Sequence, residues 1–188
     1  MELTTIKPDA PAYPPGMAAA GIGLAQQTFQ ALGNADVLKG EKVALFCSTR
    51  CPGELILKAY DLAKKLRDDG VTVISGFHSP VEKECLRILL RGKQPIIICP
   101  ARSLANLRVP GEWKRPLESG RLLLLSPFSA RHRRVTAHLA KRRNEVVAAI
   151  ADKVCFIHVS PGGELEAMRD LVRDRGKALL LADLNTNS

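Results

Sequence analysis

Three short runs of the sequence combine glycine, hydroxyl and basic residues where a predicted strand gives way to a helix. They are Cys47-Ser48-Thr49-Arg50, Ser75-Gly76-Phe77-His78 and Pro161-Gly162-Gly163. A fourth run, Lys141-Arg142-Arg143-Asn144, lies in the first turns of a predicted helix. Hydroxyls, guanidinium groups and glycine backbones are good phosphate donors, and the N–H groups at a helix start favour an anion. These residue types point to the holding of a phosphate-bearing ligand. The candidate contacts are Ser48, Arg50, Ser75, Gly76, His78, Arg142, Arg143, Asn144, Gly162 and Gly163. No nucleophile–base pair is evident, so no catalytic residue is assigned.

Each run also has an ordinary reading. Cys47–Arg50, followed by Pro52 and Gly53, fits a strand-to-helix turn with a hydroxyl cap, and it lacks the Gly-Lys-Ser/Thr ending of a nucleotide P-loop. His78 fits a solvated loop histidine. Gly76 fits either a positive φ or the close approach of a ligand. Glu164 and Glu166 follow Gly163 in the first helical turn, where they stabilise the helix and compete with a phosphate. Arg143 is the residue that a plain solvated face explains badly. It lies four residues after Leu139 and three before Val146, on or beside the apolar stripe of its helix. A charge there needs a partner or a route to water.

These runs need a frame. Val43–Cys47, Val71–Ile74, Ile96–Cys99, Leu122–Ser126, Val154–His158 and residues 177–182 contain short apolar runs of the kind that form strands buried on both faces. Helical periodicity runs over Gly53–Arg67, from Pro80 onward, over about Thr136–Ala151 and over Gly163–Arg175. Strands alternating with helices give the expected fold class: α/β, a Rossmann-like, open, mostly parallel sheet with helices on both faces. The ligand crevice of such a sheet lies beyond the carboxyl ends of its strands, where the signature runs fall. Residues 100–118, with Pro110, Gly111 and Pro116, are expected to be irregular. Residues 1–32 are expected to form a Pro/Gly-rich arm ending in a short helix over Leu24–Leu32. Residues 33–184 are expected to form a single domain, and 185–188 a frayed tail.

The composition sets the class. A chain of 188 residues that is 46% hydrophobic can bury a core of its own. Its net charge of +9 favours polyanions, nucleic acid first. Five cysteines, an odd number, speak against a disulfide framework. Cys47 and Cys51 lack a matching second pair, so no metal site is expected. No apolar run approaches the ~20 residues of a membrane span, and the start of the chain, with Glu2 and no basic stretch, is unlike a signal peptide. The expected setting is the reducing cytoplasm, with no membrane and no cofactor.

Taken in order, these residues resemble the core of the DNA-processing protein A (DprA/Smf) family. The likeness spans about Ala31 to Asp183. Val43–Cys47 running into Ser48-Thr49-Arg50 is similar to the family's strand ending in Gly-Ser-Arg. Gly70–Gly76 is similar to its Gly-(hydrophobic)-Ser-Gly segment, and Lys141–Asn144 with Val146, Val147 and Ala149 to its Arg-Arg-Asn-Arg-Ile-Ile helix. The sequence departs from that pattern at Cys47, at Ser79, Pro80 and Glu82, at Glu145 and at Glu164. The resemblance implies the Rossmann-like core domain alone, single-stranded DNA binding, a homodimer and a RecA-type recombinase as partner.

Three readings stay open. The first, and preferred, is a non-enzymatic nucleic-acid-binding protein that favours single-stranded DNA, in DNA processing or recombination, with Phe77 and Trp113 as candidate stacking partners for bases. The second is a nucleotide-binding, lysine-decarboxylase-like phosphoribohydrolase. Pro161-Gly162-Gly163 resembles that group's Pro-Gly-Gly-x-Gly-Thr segment, although the Gly-Thr is missing. The third is a small-nucleotide sensor module.

Overall fold

The computed structural model describes residues 2–17 and 24–179. The expected end of the last strand and the 185–188 tail lie outside the described residues. Eight strands form one sheet: β1 Thr4–Ile6, β2 Phe29–Gly33, β3 Lys42–Cys47, β4 Thr72–Ser75, β5 Ile96–Ile98, β6 Leu122–Ser126, β7 Lys153–His158 and β8 Ala178–Leu179. Five helices connect them: α1 Gly53–Asp68, α2 Pro80–Leu90, α3 Gly111–Glu118, α4 Ala137–Ile150 and α5 Glu164–Asp174. The order across the sheet is β1-β2-β6-β5-β4-β3-β7-β8. The six strands from β6 to β8 are parallel. Strands β1 and β2 extend the sheet as an antiparallel edge.

The central strands are apolar on both faces, and alternate residues feed two cores. Ala44, Phe46, Ile74, Ile97, Leu123, Val154 and Phe156 pack with Val146, Val147 and Ile150 of α4 and Met168 and Val172 of α5. Leu45, Val73, Ile96, Ile98, Leu122 and Leu124 face the other way, onto Ala59 and Ala63 of α1, Cys85 and Leu89 of α2 and Leu117 of α3. Helices α1–α3 therefore cover one face and α4–α5 the other. This is the expected α/β, Rossmann-like architecture, and the burial of strands on both faces explains why they lack polar alternation.

Two local expectations give way. The segment expected as a helix over Leu24–Leu32 instead ends in strand β2. Phe29 and Ala31 are fully buried while Gln30 and Leu32 are half-buried, which is the period of a strand. Ladder pairing to Leu124 and Leu125 of β6 satisfies its backbone. The expected irregular stretch contains helix α3. Pro110 stands at its N-cap, where the missing N–H costs nothing, and Trp113 and Leu117 lie one turn apart against the core.

The direction of chain travel changes at β3. From there β4, β5 and β6 are laid down on one side, and the chain then crosses to place β7 on the other. The carboxyl ends of β3 and β7 thus meet at a topological switch point, where an open parallel sheet leaves a crevice.

Candidate nucleic-acid interface

A cleft of about 370 Å³ opens at that switch point. Its walls are the end of β3 and the loop after it (Cys47 to Arg50), the loop after β4 (His78 and Ser79), the loop after β7 and the start of α5 (Ser160 and Gly163 to Leu165) and one side of α4 (Ala140, Arg143 and Asn144). The Glu82 carboxylate lies at its base.

Helix α4 sets the position of Arg143. Thr136 caps the helix by accepting the Leu139 N–H, at 3.2 Å, and Leu139, Val146, Val147 and Ile150 are buried. The phase of that stripe carries Arg143 inward, to 4% exposure. Its Nη1 donates to the Cys99 carbonyl at 3.0 Å and its Nε to Asn144 Oδ1 at 2.7 Å. The guanidinium lies against the backbone of Gly76: a Cβ there would stand 1.5 Å from Nη1 and 2.0 Å from Cζ. Burial pulls the guanidinium below its ordinary pKa, and the nearby Glu82 carboxylate opposes that pull. Guanidinium has five N–H donors, so two hydrogen bonds leave donors to spare beside the cleft.

Glu82 fastens the loops to one another. Its Oε1 accepts from the Cys47 N–H at 2.9 Å, and its Oε2 from the His78 and Ser79 N–H groups at 2.8 and 3.3 Å. Ser79 in turn accepts the Glu82 N–H, which completes a capping box at the start of α2. Burial raises the Glu82 pKa; the three N–H bonds and Arg143 work against that rise. A second tie crosses the cleft, where Ser48 Oγ accepts the Ser160 N–H at 2.9 Å. Between these ties the chain turns left-handed at Phe77, with φ 46°. Such a turn costs a bulky residue roughly 1–2 kcal/mol; the buried ring, the Phe77 N–H bond to Ser75 Oγ and the Glu82 bonds to the following His78 and Ser79 N–H groups hold it in place.

Of the candidate contacts, Ser48, Arg50, His78, Arg143, Asn144 and Gly163 come together around the cleft. Arg50 and His78 are exposed. Gly76 stands behind Arg143; its φ is not positive, so the approaching group that excludes a side chain is a protein guanidinium. Ser75 is fully buried, and its hydroxyl donates to the Leu45 carbonyl at 2.7 Å and accepts the Phe77 N–H, so it fixes the β4 loop from beneath. Arg142 is half-buried beside Glu145, at 3.5 Å, and does not line the cleft. The Gly162 N–H donates to Glu166 Oε2 at 2.8 Å and the Gly163 N–H to the Ser160 carbonyl at 3.1 Å, so both donors are occupied. The expected stacking partners are elsewhere: Phe77 is 5% exposed within the core, and Trp113 packs on that same core from α3.

The protein-family comparison matches residues 4–167 to the DNA recombination-mediator protein A family. The chain belongs to this family. Among solved structures it is similar to DNA processing protein A from Streptococcus pneumoniae, with a TM-score of 0.77 and 16% identity over 95% of this chain. It is also similar to DNA processing protein A from Helicobacter pylori, a protein that binds single-stranded DNA, with a TM-score of 0.75 and 18% identity over 95% of this chain. The chain spans 62% of the length of the Streptococcus protein and 80% of the Helicobacter one. No curated protein gives a significant match.

Within this member of the family, the residue that sequence reading left unassigned is Glu82. Its signal was present as Ser79-x-x-Glu82 with Pro80 between, a capping-box spacing, but nothing local shows that the same carboxylate also holds the backbone of Cys47. The cleft it supports is close to balanced in charge. Arg50 and Arg143 face Glu82 and Glu164 among the lining residues.

Proposed function

We propose that this family member is a non-enzymatic, single-stranded-DNA-binding protein of DNA processing or recombination, and that the cleft seats one nucleotide of the strand. The observation that carries this is the cleft at the switch point. There, Ser48, Arg50, Arg143 and Asn144 from the family-like runs line one space on a chain of net charge +9. The same reading includes a homodimer as the working state, a RecA-type recombinase as partner and the cytoplasm as the setting; family membership supports all three. Among the described residues no helix is long and apolar enough to cross a membrane.

The phosphoribohydrolase-like alternative is not favoured. Gly162 and Glu166, which that reading needs for a ligand, are bonded to each other.

Arg50 supplies the test, because it is exposed and makes no hydrogen bond or ion pair with the described residues. Pure protein is titrated with single-stranded DNA, duplex DNA and nucleoside monophosphates over a range of salt. Single strands should bind most tightly, with a log–log salt slope of about −0.7 per phosphate contact. Arg50→Ala should weaken that binding and leave the melting temperature unchanged. Binding that ignores salt, or equal affinity of Arg50→Ala and wild type, refutes the reading.

A further inference from the structure

The balanced cleft raises the question of where a polyanion is attracted. On α1, α2 and α5 many exposed cations are matched by carboxylates three or four residues away, as in Lys64–Asp61, Lys65–Asp69, Arg87–Glu84 and Arg173–Asp170. The loop from β6 into α4 is different. Residues 127–144 contain no Asp or Glu. Arg131, Arg133, Arg134 and Lys141 are exposed there, and none has a carboxylate partner among the described residues.

The loop is also a formed surface. The Ser103 N–H donates to the His132 carbonyl at 2.8 Å, the His132 N–H to the Ser129 carbonyl at 3.0 Å, and the His132 ring packs on Phe128 with centroids 5.7 Å apart. Arg131 to Arg134, Thr136 and Leu139 line a depression of about 370 Å³. Leu139 borders this depression and its neighbour Ala140 borders the cleft, so the two meet on the first turn of α4.

We infer that the β6–α4 depression is a second nucleic-acid subsite, which takes the sugar–phosphate backbone of the strand next to the nucleotide seated in the cleft. This inference rests on the proposed DNA-binding reading. Arginines suit the role because a guanidinium meets a phosphate through two parallel hydrogen bonds. Up to three phosphates can be neutralised by Arg131, Arg133 and Arg134, each releasing counterions. The subsite engages only a ligand long enough to extend past the cleft.

That length dependence is the test. Wild type and the Arg131→Ala/Arg133→Ala/Arg134→Ala variant are titrated with thymidine monophosphate, a thymidine trinucleotide and a thymidine dodecanucleotide over a range of salt. A control variant, Arg91→Ala/Lys93→Ala/Arg175→Ala, removes three exposed cations from the opposite end of the sheet. The loop variant should bind the dodecanucleotide about tenfold or more weakly at low salt, with the salt slope reduced by about two, from roughly 0.7 per phosphate. Its affinity for the monophosphate should match wild type, and the control should keep the full slope. Equal losses in loop and control variants, or the same loss for monophosphate and dodecanucleotide, overturn the inference and leave cleft binding standing. A wild type that binds no oligonucleotide overturns the proposed function as well. Thermal melting of each variant confirms that the comparison is between folded proteins.

Discussion

Gly76→Ala should reveal how the cleft wall is built. The new methyl would lie 1.5 Å from Nη1 of Arg143 and 2.0 Å from Cζ, so the guanidinium must leave its place. Leaving breaks its bonds to the Cys99 carbonyl and to Asn144. A hydrogen bond to a charged group is worth about 1.5–3 kcal/mol, and a buried acceptor left alone costs about 1–3 kcal/mol. The displaced guanidinium regains water in the cleft, which offsets part of the loss. A net destabilisation of roughly 2–3 kcal/mol is expected, within the range of core overpacking. In the Arg143→Ala background the methyl meets the vacated space at a φ that alanine tolerates, so it should cost close to nothing. The double-mutant cycle should therefore give a favourable coupling of about 2 kcal/mol, read by urea unfolding of all four proteins followed by circular dichroism. Additivity to within about 0.5 kcal/mol would refute the argument that Gly76 is glycine because of Arg143.

Other outcomes follow from the same geometry. Arg143→Lys should recover only part of the DNA affinity lost in Arg143→Ala, because three donors on one nitrogen do not reproduce the planar fork that bonds Asn144 and Cys99 through separate nitrogens and keeps further donors for the cleft, and titration at one salt concentration checks this. Glu82 has a folded pKa above its ordinary value, so the folded protein holds its proton to higher pH than the unfolded chain; stability from this group is greatest at acid pH and is lost as pH rises through the raised value. The stability difference between wild type and Glu82→Gln should therefore shift in favour of the variant as pH rises above the ordinary carboxylate range, and a shift the other way in urea titrations contradicts it. Lys177 Nζ donates to the carbonyls of Ala148, Ala149 and Ala151 at 2.6–2.7 Å, closing the C-terminal end of α4; Lys177→Met should cost on the order of 2–3 kcal/mol in unfolding free energy. Thiol labelling of the native protein should modify Cys51 alone, since the other four cysteines are buried and burial holds Cys85, Cys99 and Cys155 at about 12; all five should react in denaturant.

The sequence carried the fold where one residue pattern had one solution. Runs such as Val43–Cys47 and Leu122–Leu125 are too short for helices and too apolar for surface strands, so a doubly covered parallel sheet follows. Strand β2 was hidden because Phe29 and Ala31 alternate for only five residues beside prolines and glycines that suggest an arm; its partner, β6, is distant in the chain. Helix α3 was hidden because Pro110 and Pro116 read as breakers although the first caps the helix. In the site, the phase of α4 made Arg143 legible. The role of Gly76 was not, because the group that excludes its side chain comes from a distant helix. Nor was the fate of Gly162: Glu166 was legible as a competitor for a phosphate, but not as the group already bound to that N–H.

On the proposed reading, seating and attraction are separate tasks given to separate parts of the surface. Arg143 sits in a wall fixed by Gly76, Cys99 and Glu82, and its charge is partly answered by a carboxylate at the same base. Such a group contributes direction, since the guanidinium has few places to move and little net field to project. The exposed arginines before α4 contribute field, since nothing acidic lies among residues 127–144 to answer them. The two contributions respond differently to salt. Exposed charges are screened over about 10 Å at ordinary ionic strength, whereas a buried hydrogen-bonding group is screened much less. A strand held by the loop alone would bind steeply with salt and accept duplex as well as single strands. A strand held by the cleft alone would discriminate but bind with a shallow slope. Preference for single strands together with a steep slope therefore requires both parts, and loss of one property without the other assigns it to the part that was changed.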